Sequence, residues 1–105
     1  MEITPPEVKS LLDGGARLRL IDVREPEEYQ ICRLAGAELI PMRSIPQHLQ
    51  GLDDESTPLI VYCHHGVRSR LVVDWLRKQG VEQCQSMAGG IDLWSRLVDS
   101  GVPQY

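Results

Sequence analysis

Seven consecutive residues, Cys63-His64-His65-Gly66-Val67-Arg68-Ser69, place a thiol, two imidazoles, a glycine and a guanidinium on one short segment. Only the thiolate form of a cysteine is a nucleophile, so such a segment matters if its surroundings favour negative charge on sulfur. The flanking sequence supplies those surroundings. Leu59-Ile60-Val61-Tyr62 is apolar without a break, as expected of a central parallel strand covered on both faces. From Val67 to Gln79 the apolar residues Leu71, Val72, Trp75 and Leu76 recur at helical spacing, and Gly80 supplies the stop. Cys63 therefore lies where a strand gives way to a helix. Ligands bind just beyond the carboxyl ends of strands in open parallel sheets, and the first amides of a helix, with the positive end of its dipole, face whatever is attached there. Gly66 permits the turn that aims several N–H groups inward, and Arg68 adds a charge suited to forked contact with oxyanions. The expected arrangement is a small anion cradle built around one sulfur.

The rest of the chain reads as the scaffold for that loop. Thr4-Pro5-Pro6-Glu7 carries the marks of a helix start, with Thr4 as N-cap and Glu7 closing a capping box. Val8, Leu11 and Leu12 would form the helix's buried stripe and Gly14-Gly15 its end. Leu18 to Val23 reads as a strand and Glu25-Pro26-Glu27-Glu28-Tyr29 as the acidic first turn of a helix. Ala37 to Ile40 follows as a strand, Ser44 to Leu49 as a short helix, and residues 51 to 58 as a polar loop. Val81 to Ser86 is a weakly patterned last strand. Gly89-Gly90 turns the chain into a helix with Ile91, Trp94, Leu97 and Val98 on one stripe, ending at Gly101. Alternating strands and helices predict an α/β fold with right-handed crossovers.

Composition narrows the partners. The chain has 105 residues, 42% hydrophobic and 25% charged, which suits one domain spanning residues 1–105. A net charge of −4 offers no overall basic footprint for nucleic acid or anionic lipid, so any anion site must be local. No stretch approaches the length needed to cross a bilayer, and the N-terminal residues lack a secretory pattern; a cytoplasmic protein is expected. Cys32, Cys63 and Cys84 are too widely spaced for a disulfide scaffold or a zinc ribbon and are expected as reduced thiols.

Cys63-His64-His65-Gly66-Val67-Arg68 resembles the C-x-x-G-x-R loop of the rhodanese-like domain. Leu20 to Tyr29 is similar to that family's strand-D-V-R-E-x-x-E-Y/F segment, Gly36-Ala37 with Ile40-Pro41 to its H-I-P-G-A-x-x-I-P segment, and Met87 to Trp94 to its closing L-x-G-G-x-x-x-W. The resemblance implies a five-stranded, mainly parallel sheet with helices on both faces, its first strand the brief Glu2-Ile3 stretch. It also implies a sulfurtransferase. Cys63 would take a sulfane sulfur from thiosulfate or another protein's persulfide, with amides of residues 64 to 69 (His64, His65, Gly66, Val67, Arg68, Ser69) stabilising the terminal sulfur, and pass it to a thiophilic acceptor. Neither a metal nor an organic cofactor is implied. Residues 24 to 42 look most like the sulfurtransferase domain at the C-terminal end of enzymes that activate sulfur-carrier proteins, which makes such a carrier a candidate acceptor and leaves open whether the chain is a fragment of a larger enzyme. The phosphatases of this fold resemble a C-x5-R pattern, whereas four residues separate Cys63 from Arg68 here, and the loop holds no acid to protonate a leaving group.

Other residues carry weaker readings. Asp22 and Arg24, at a strand's carboxyl end, would orient the loop or pair with each other. Arg68 would point at the substrate anion. Arg33 stands where the family has histidine, so the bond that histidine makes is not expected. A Cys63-His64-His65 metal site is not expected, because adjacent residues rarely converge on one ion and no distant ligand is visible in the sequence. Cys32, Cys84, Tyr62, Trp75 and Trp94 are expected in the core. Two other readings compete with sulfur transfer: a non-catalytic binding or regulatory module that uses the cradle for docking, and phosphatase or arsenate-reductase chemistry.

Overall fold

A computed structural model describes residues 1–105, and its element order follows the alternation in the sequence. The strands are β1 (Glu2–Ile3), β2 (Arg19–Asp22), β3 (Glu38–Leu39), β4 (Leu59–Tyr62) and β5 (Cys84–Met87). The α-helices are α1 (Pro5–Asp13), α2 (Pro26–Ile31), α3 (Leu49–Leu52), α4 (Val67–Lys78) and α5 (Gly90–Leu97), and a 3-10 helix covers Met42–His48. The five strands form one sheet in the order β1-β5-β4-β2-β3, and every neighbouring pair is parallel.

Side-chain alternation along the central strands separates two cores. Ile21, Val23, Leu59, Val61 and Cys63 face Ile45 of the 3-10 helix, Leu52 of α3, and Val72, Val73 and Leu76 of α4. Leu20, Ile60 and Tyr62 face Val8 of α1 and Ile91 and Trp94 of α5 on the opposite side. This explains why β4 is apolar throughout: both of its faces are covered, and all four residues are buried.

The α1 start behaves as its sequence predicts. The Glu7 amide bonds to Thr4 Oγ1 at 3.3 Å, and Glu7 Oε1 accepts the Thr4 amide at 3.0 Å, which closes the capping box. The expected apolar stripes are wider than the surface the sheet covers. Leu11 is 40% exposed, Leu12 37%, Leu71 57% and Leu97 59%, so α1, α4 and α5 each bury a narrower face than their spacing predicts. Val73, outside the expected stripe of α4, is buried instead. The predicted helix over residues 44 to 49 is a 3-10 turn that continues into α3, because Pro46 has no amide hydrogen to give an α-helical ladder. The last strand begins three residues later and ends one residue later than its pattern predicts, with Leu59, Ile60 and Val61 setting its register against Cys84, Gln85 and Ser86. No helix is long and apolar enough to cross a membrane.

Strand order fixes where a ligand can sit. The chain leaves β2 toward β3 on one side and leaves β4 toward β5 on the other, so the carboxyl ends of β2 and β4 flank the switch point of the sheet. Asp22 lies opposite Tyr62 in the parallel register. Arg24, two residues beyond Asp22, and Cys63, directly after Tyr62, are thereby brought to the same crevice.

Candidate active site

Cys63 follows β4 directly, and its side chain turns toward the α4 side of the sheet with only 1% of the residue exposed. Two amides point at its sulfur: the Gly66 N–H at 3.1 Å and the Ser69 N–H at 3.4 Å. The first comes from the loop and the second from the opening turn of α4, whose early amides have no partner within the helix. Gly66 adopts a φ of 101°, in the left-handed region, and a side chain on it would stand 3.1 Å from the Gly89 nitrogen. The thiol also contacts Ser69 Oγ at 3.5 Å. Ser69 Oγ donates to the Gly66 carbonyl at 3.2 Å or shares a hydrogen with buried Ser86 Oγ at 2.7 Å, so β5 braces the loop from below.

Helix α5 clasps the same loop from the other side. The Ile91 amide bonds to the Cys63 carbonyl at 2.9 Å and the Asp92 amide to the His64 carbonyl at 3.0 Å. This close approach explains the second glycine of Gly89-Gly90: a Cβ on Gly90 would lie 2.4 Å from both carbonyl oxygens. The N-termini of α4 and α5 thus converge on one turn, α4 giving its amides to the sulfur and α5 giving its amides to the turn's carbonyls.

A charged layer lies beside the turn. Asp22 and Arg24 are both fully buried and form a two-pronged pair, Nε to Oδ1 at 2.9 Å and Nη2 to Oδ2 at 2.7 Å. Nη2 also reaches the Cys32 carbonyl at 2.6 Å, and Nη1 donates to the Tyr105 hydroxyl at 2.8 Å. Burial works against the charge on Arg24, but its bonds to Asp22 and Tyr105 outweigh that cost and hold it protonated more firmly than usual. The predicted pairing of Asp22 with Arg24 is therefore present.

Arg68 has a partner that its sequence position does not announce. Its guanidinium forks onto Glu28 of α2 at 2.7 and 2.9 Å. A free Arg68 beside a partly buried carboxylate would leave Glu28 unpaired, and a bidentate ion pair removes that cost. The Arg68 bond, reinforced by the Tyr105 hydroxyl at 2.7 Å and the Glu25 amide, holds the Glu28 carboxyl down at about 2. A carboxyl depressed on folding stabilises the native state above the ordinary range near 4.5, and that contribution fades as pH falls from there toward 2. Because the pair is partly solvated, Glu28→Gln is expected to cost about 1–2 kcal/mol at pH 7 and nothing below about pH 2. Urea midpoints of both proteins across that range check this.

His64 and His65 are part of the turn's outer wall. The His64 ring stacks on Tyr105 with centroids 3.8 Å apart and planes 5° apart, and on His65 at 3.8 Å and 32°. Burial, followed by the neighbouring His65, lowers the His64 pKa and favours the neutral ring. Its Nε2 is buried with no hydrogen-bond partner. Asp92 of α5, which the sequence does not associate with these histidines, brings a carboxylate oxygen within 4.8 Å of a ring nitrogen of each. That carboxylate is engaged by Arg96 at 3.1 Å.

Arg33 lies exposed with its guanidinium 4.5 Å above the Tyr29 ring, which associates it with α2 and not with the sulfur. Cys32 and Cys84 are buried free thiols, as expected, and Tyr62 is fully buried with its hydroxyl accepting the Leu34 amide at 3.2 Å. Val67 is 64% exposed at the lip of the loop. Between the 3-10 helix and α4, an apolar cleft of about 250 Å³ is lined by Met42, Ile45, Pro46, Leu71, Val72 and Trp75 and carries no nucleophile.

Sequence reasoning missed four participants: Glu28, Ser86, Asp92 and Tyr105. Glu28 stood out only as an acid in a helix's first turn, and its partner Arg68 lies 40 residues away. Ser86 and Asp92 are single polar residues whose partners depend on register, and Tyr105 belongs to no periodic pattern.

A parallel sheet with a cysteine at its switch point, held between two helix N-termini, defines a class of thiol-bearing α/β domains. The family model for the rhodanese-like domain matches residues 4–97, and the chain belongs to that family. It is similar to the thiosulfate sulfurtransferase GlpE of Haemophilus influenzae, 38% identical over 90% of this chain and 88% of that one. It is also similar to the probable adenylyltransferase/sulfurtransferase MoeZ of Mycobacterium tuberculosis, 35% identical over 98% of this chain and 26% of that one, so the chain spans about a quarter of such relatives. Among solved structures, the human single-domain sulfurtransferase TSTD1 superposes with a TM-score of 0.80 at 29% identity, covering 91% of this chain and 96% of that one.

Proposed function

We propose that this domain is a sulfurtransferase that carries sulfane sulfur on Cys63. The observation that carries the reading is the pair of amides, from Gly66 and Ser69, aimed at one sulfur at the switch point of the sheet. The Cys63 thiolate attacks the outer sulfur of thiosulfate; the S–S bond of the donor breaks and sulfite departs with its electron pair. The product is Cys63–S–S⁻, whose terminal charge the loop amides stabilise as an oxyanion hole stabilises oxygen. A nucleophilic acceptor, cyanide or a thiolate, then attacks that outer sulfur, and Cys63 leaves as thiolate. A persulfide on another protein serves the first step in the same way, with that protein's thiolate as leaving group. The similarity to adenylyltransferase/sulfurtransferases supports a sulfur-carrier protein as acceptor. Arg68 locks α2 to the loop through Glu28.

Purified protein is expected to form thiocyanate from thiosulfate and cyanide with saturation in both. No thiocyanate, combined with no transfer from a cysteine-desulfurase persulfide, overturns the reading. In that event the non-catalytic docking module becomes the better account, and the near-complete burial of Cys63 is the observation on its side.

A further inference from the structure

We propose that Tyr105 is a specificity-determining residue: its ring closes the crevice over the Cys63 turn and limits how wide a donor or acceptor reaches the sulfur. This rests on the sulfurtransferase reading for its meaning but not for its test. Four contacts define its position. The ring lies flat on His64, the residue next to Cys63, and its centroid is 5.7 Å from the Arg24 guanidinium. The hydroxyl accepts from Arg24 at 2.8 Å and donates to Glu28 at 2.7 Å.

These partners surround the switch point. Arg24 follows β2, His64 follows β4, and Glu28 holds Arg68 at the start of α4. A side chain in contact with all three elements lies across the carboxyl ends of β2 and β4, where a substrate must arrive. Cys63 itself is only 1% exposed, so the sulfur is reached only when part of its cover moves. The loop backbone is clasped by α5 and backed by β5. Tyr105, by contrast, is 39% exposed and follows the last helix in a segment without regular structure. Displacing it breaks two bonds to charged groups and one ring stack.

The test compares two thiol reagents of different width, iodoacetamide and fluorescein-5-maleimide, on wild type, Tyr105→Ala and Tyr105→Phe, with occupancy of Cys63 followed by peptide mass spectrometry. Tyr105→Ala is expected to speed maleimide labelling of Cys63 by about tenfold or more and iodoacetamide labelling by about threefold or less, since the lost contacts no longer gate entry. Tyr105→Phe keeps the ring on His64 and is expected to fall between wild type and Tyr105→Ala. In transfer assays the kcat/KM for glutathione relative to cyanide is expected to rise in Tyr105→Ala. Equal acceleration of both reagents, or none, in a variant that melts as wild type does overturns the proposal. Should Tyr105→Ala unfold, Tyr105→Phe decides, and an unchanged ratio of the two labelling rates overturns it. Labelling needs no sulfur transfer, so a domain without turnover can still pass this test, and an active one can still fail it.

Discussion

Cys63→Ser is expected to abolish thiocyanate formation, with a loss of about 10³-fold or more in kcat/KM. The sulfur relay leaves no other residue able to take the part. Cys32 and Cys84 are buried 7% and 1% exposed, at places where no helix amides converge on them, and burial pushes the Cys84 thiol up and so away from the reactive form. A serine hydroxyl fits the space, but oxygen cannot form the persulfide bond on which the second step depends. Stability should be nearly unchanged, because serine still offers an acceptor to the Gly66 and Ser69 amides. Steady-state kinetics beside a thermal melt checks both halves. Retained turnover in Cys63→Ser would move the chemistry elsewhere.

Asp22→Ala is expected to be the most damaging change outside the loop, at about 3–5 kcal/mol. Arg24 is completely buried, and Asp22 supplies both prongs of its ion pair and also accepts the Arg24 amide at 3.0 Å. Truncation strands a cation in the interior with the Cys32 carbonyl and sulfur and the Tyr105 hydroxyl as its remaining hydrogen-bond partners. Against a total stability of about 5–15 kcal/mol for a domain, such a loss brings the protein close to unfolding at 37 °C. Removing both charges in Asp22→Ala/Arg24→Met is expected to recover part of it, since an apolar replacement leaves no unpaired charge. Denaturant midpoints of the two variants distinguish this from simple packing loss, under which the double variant would be the weaker.

What the sequence revealed followed its strongest periodic signals. Leu59 to Tyr62 was readable as a central strand because both faces are covered, and Gly66, Gly80 and the Gly89-Gly90 pair marked turns that only glycine makes comfortably. The capping box at Thr4 fixed the start of α1 to the residue. Helix stripes told which face turns inward and not how far the sheet extends under it, which is why Leu11, Leu71 and Leu97 are exposed despite their spacing. The same limit applied in the site. Residue types around Cys63 announced an anion cradle, but whether Arg68 meets a ligand or Glu28 depends on the distance between α2 and α4, which no local pattern encodes. Tyr105 reaches the loop only through the tertiary fold, and a lone aromatic residue carries no period to announce it.

The claim on which the functional account rests is that Cys63 holds the transferred sulfur covalently. Intact-protein and peptide mass spectrometry after incubation with thiosulfate measures this directly. The account predicts a gain of one sulfur atom, confined to the peptide bearing Cys63 and reversed by cyanide. Protein that turns thiosulfate over while Cys63 never acquires that sulfur, or that takes it up on Cys32 or Cys84, would contradict it.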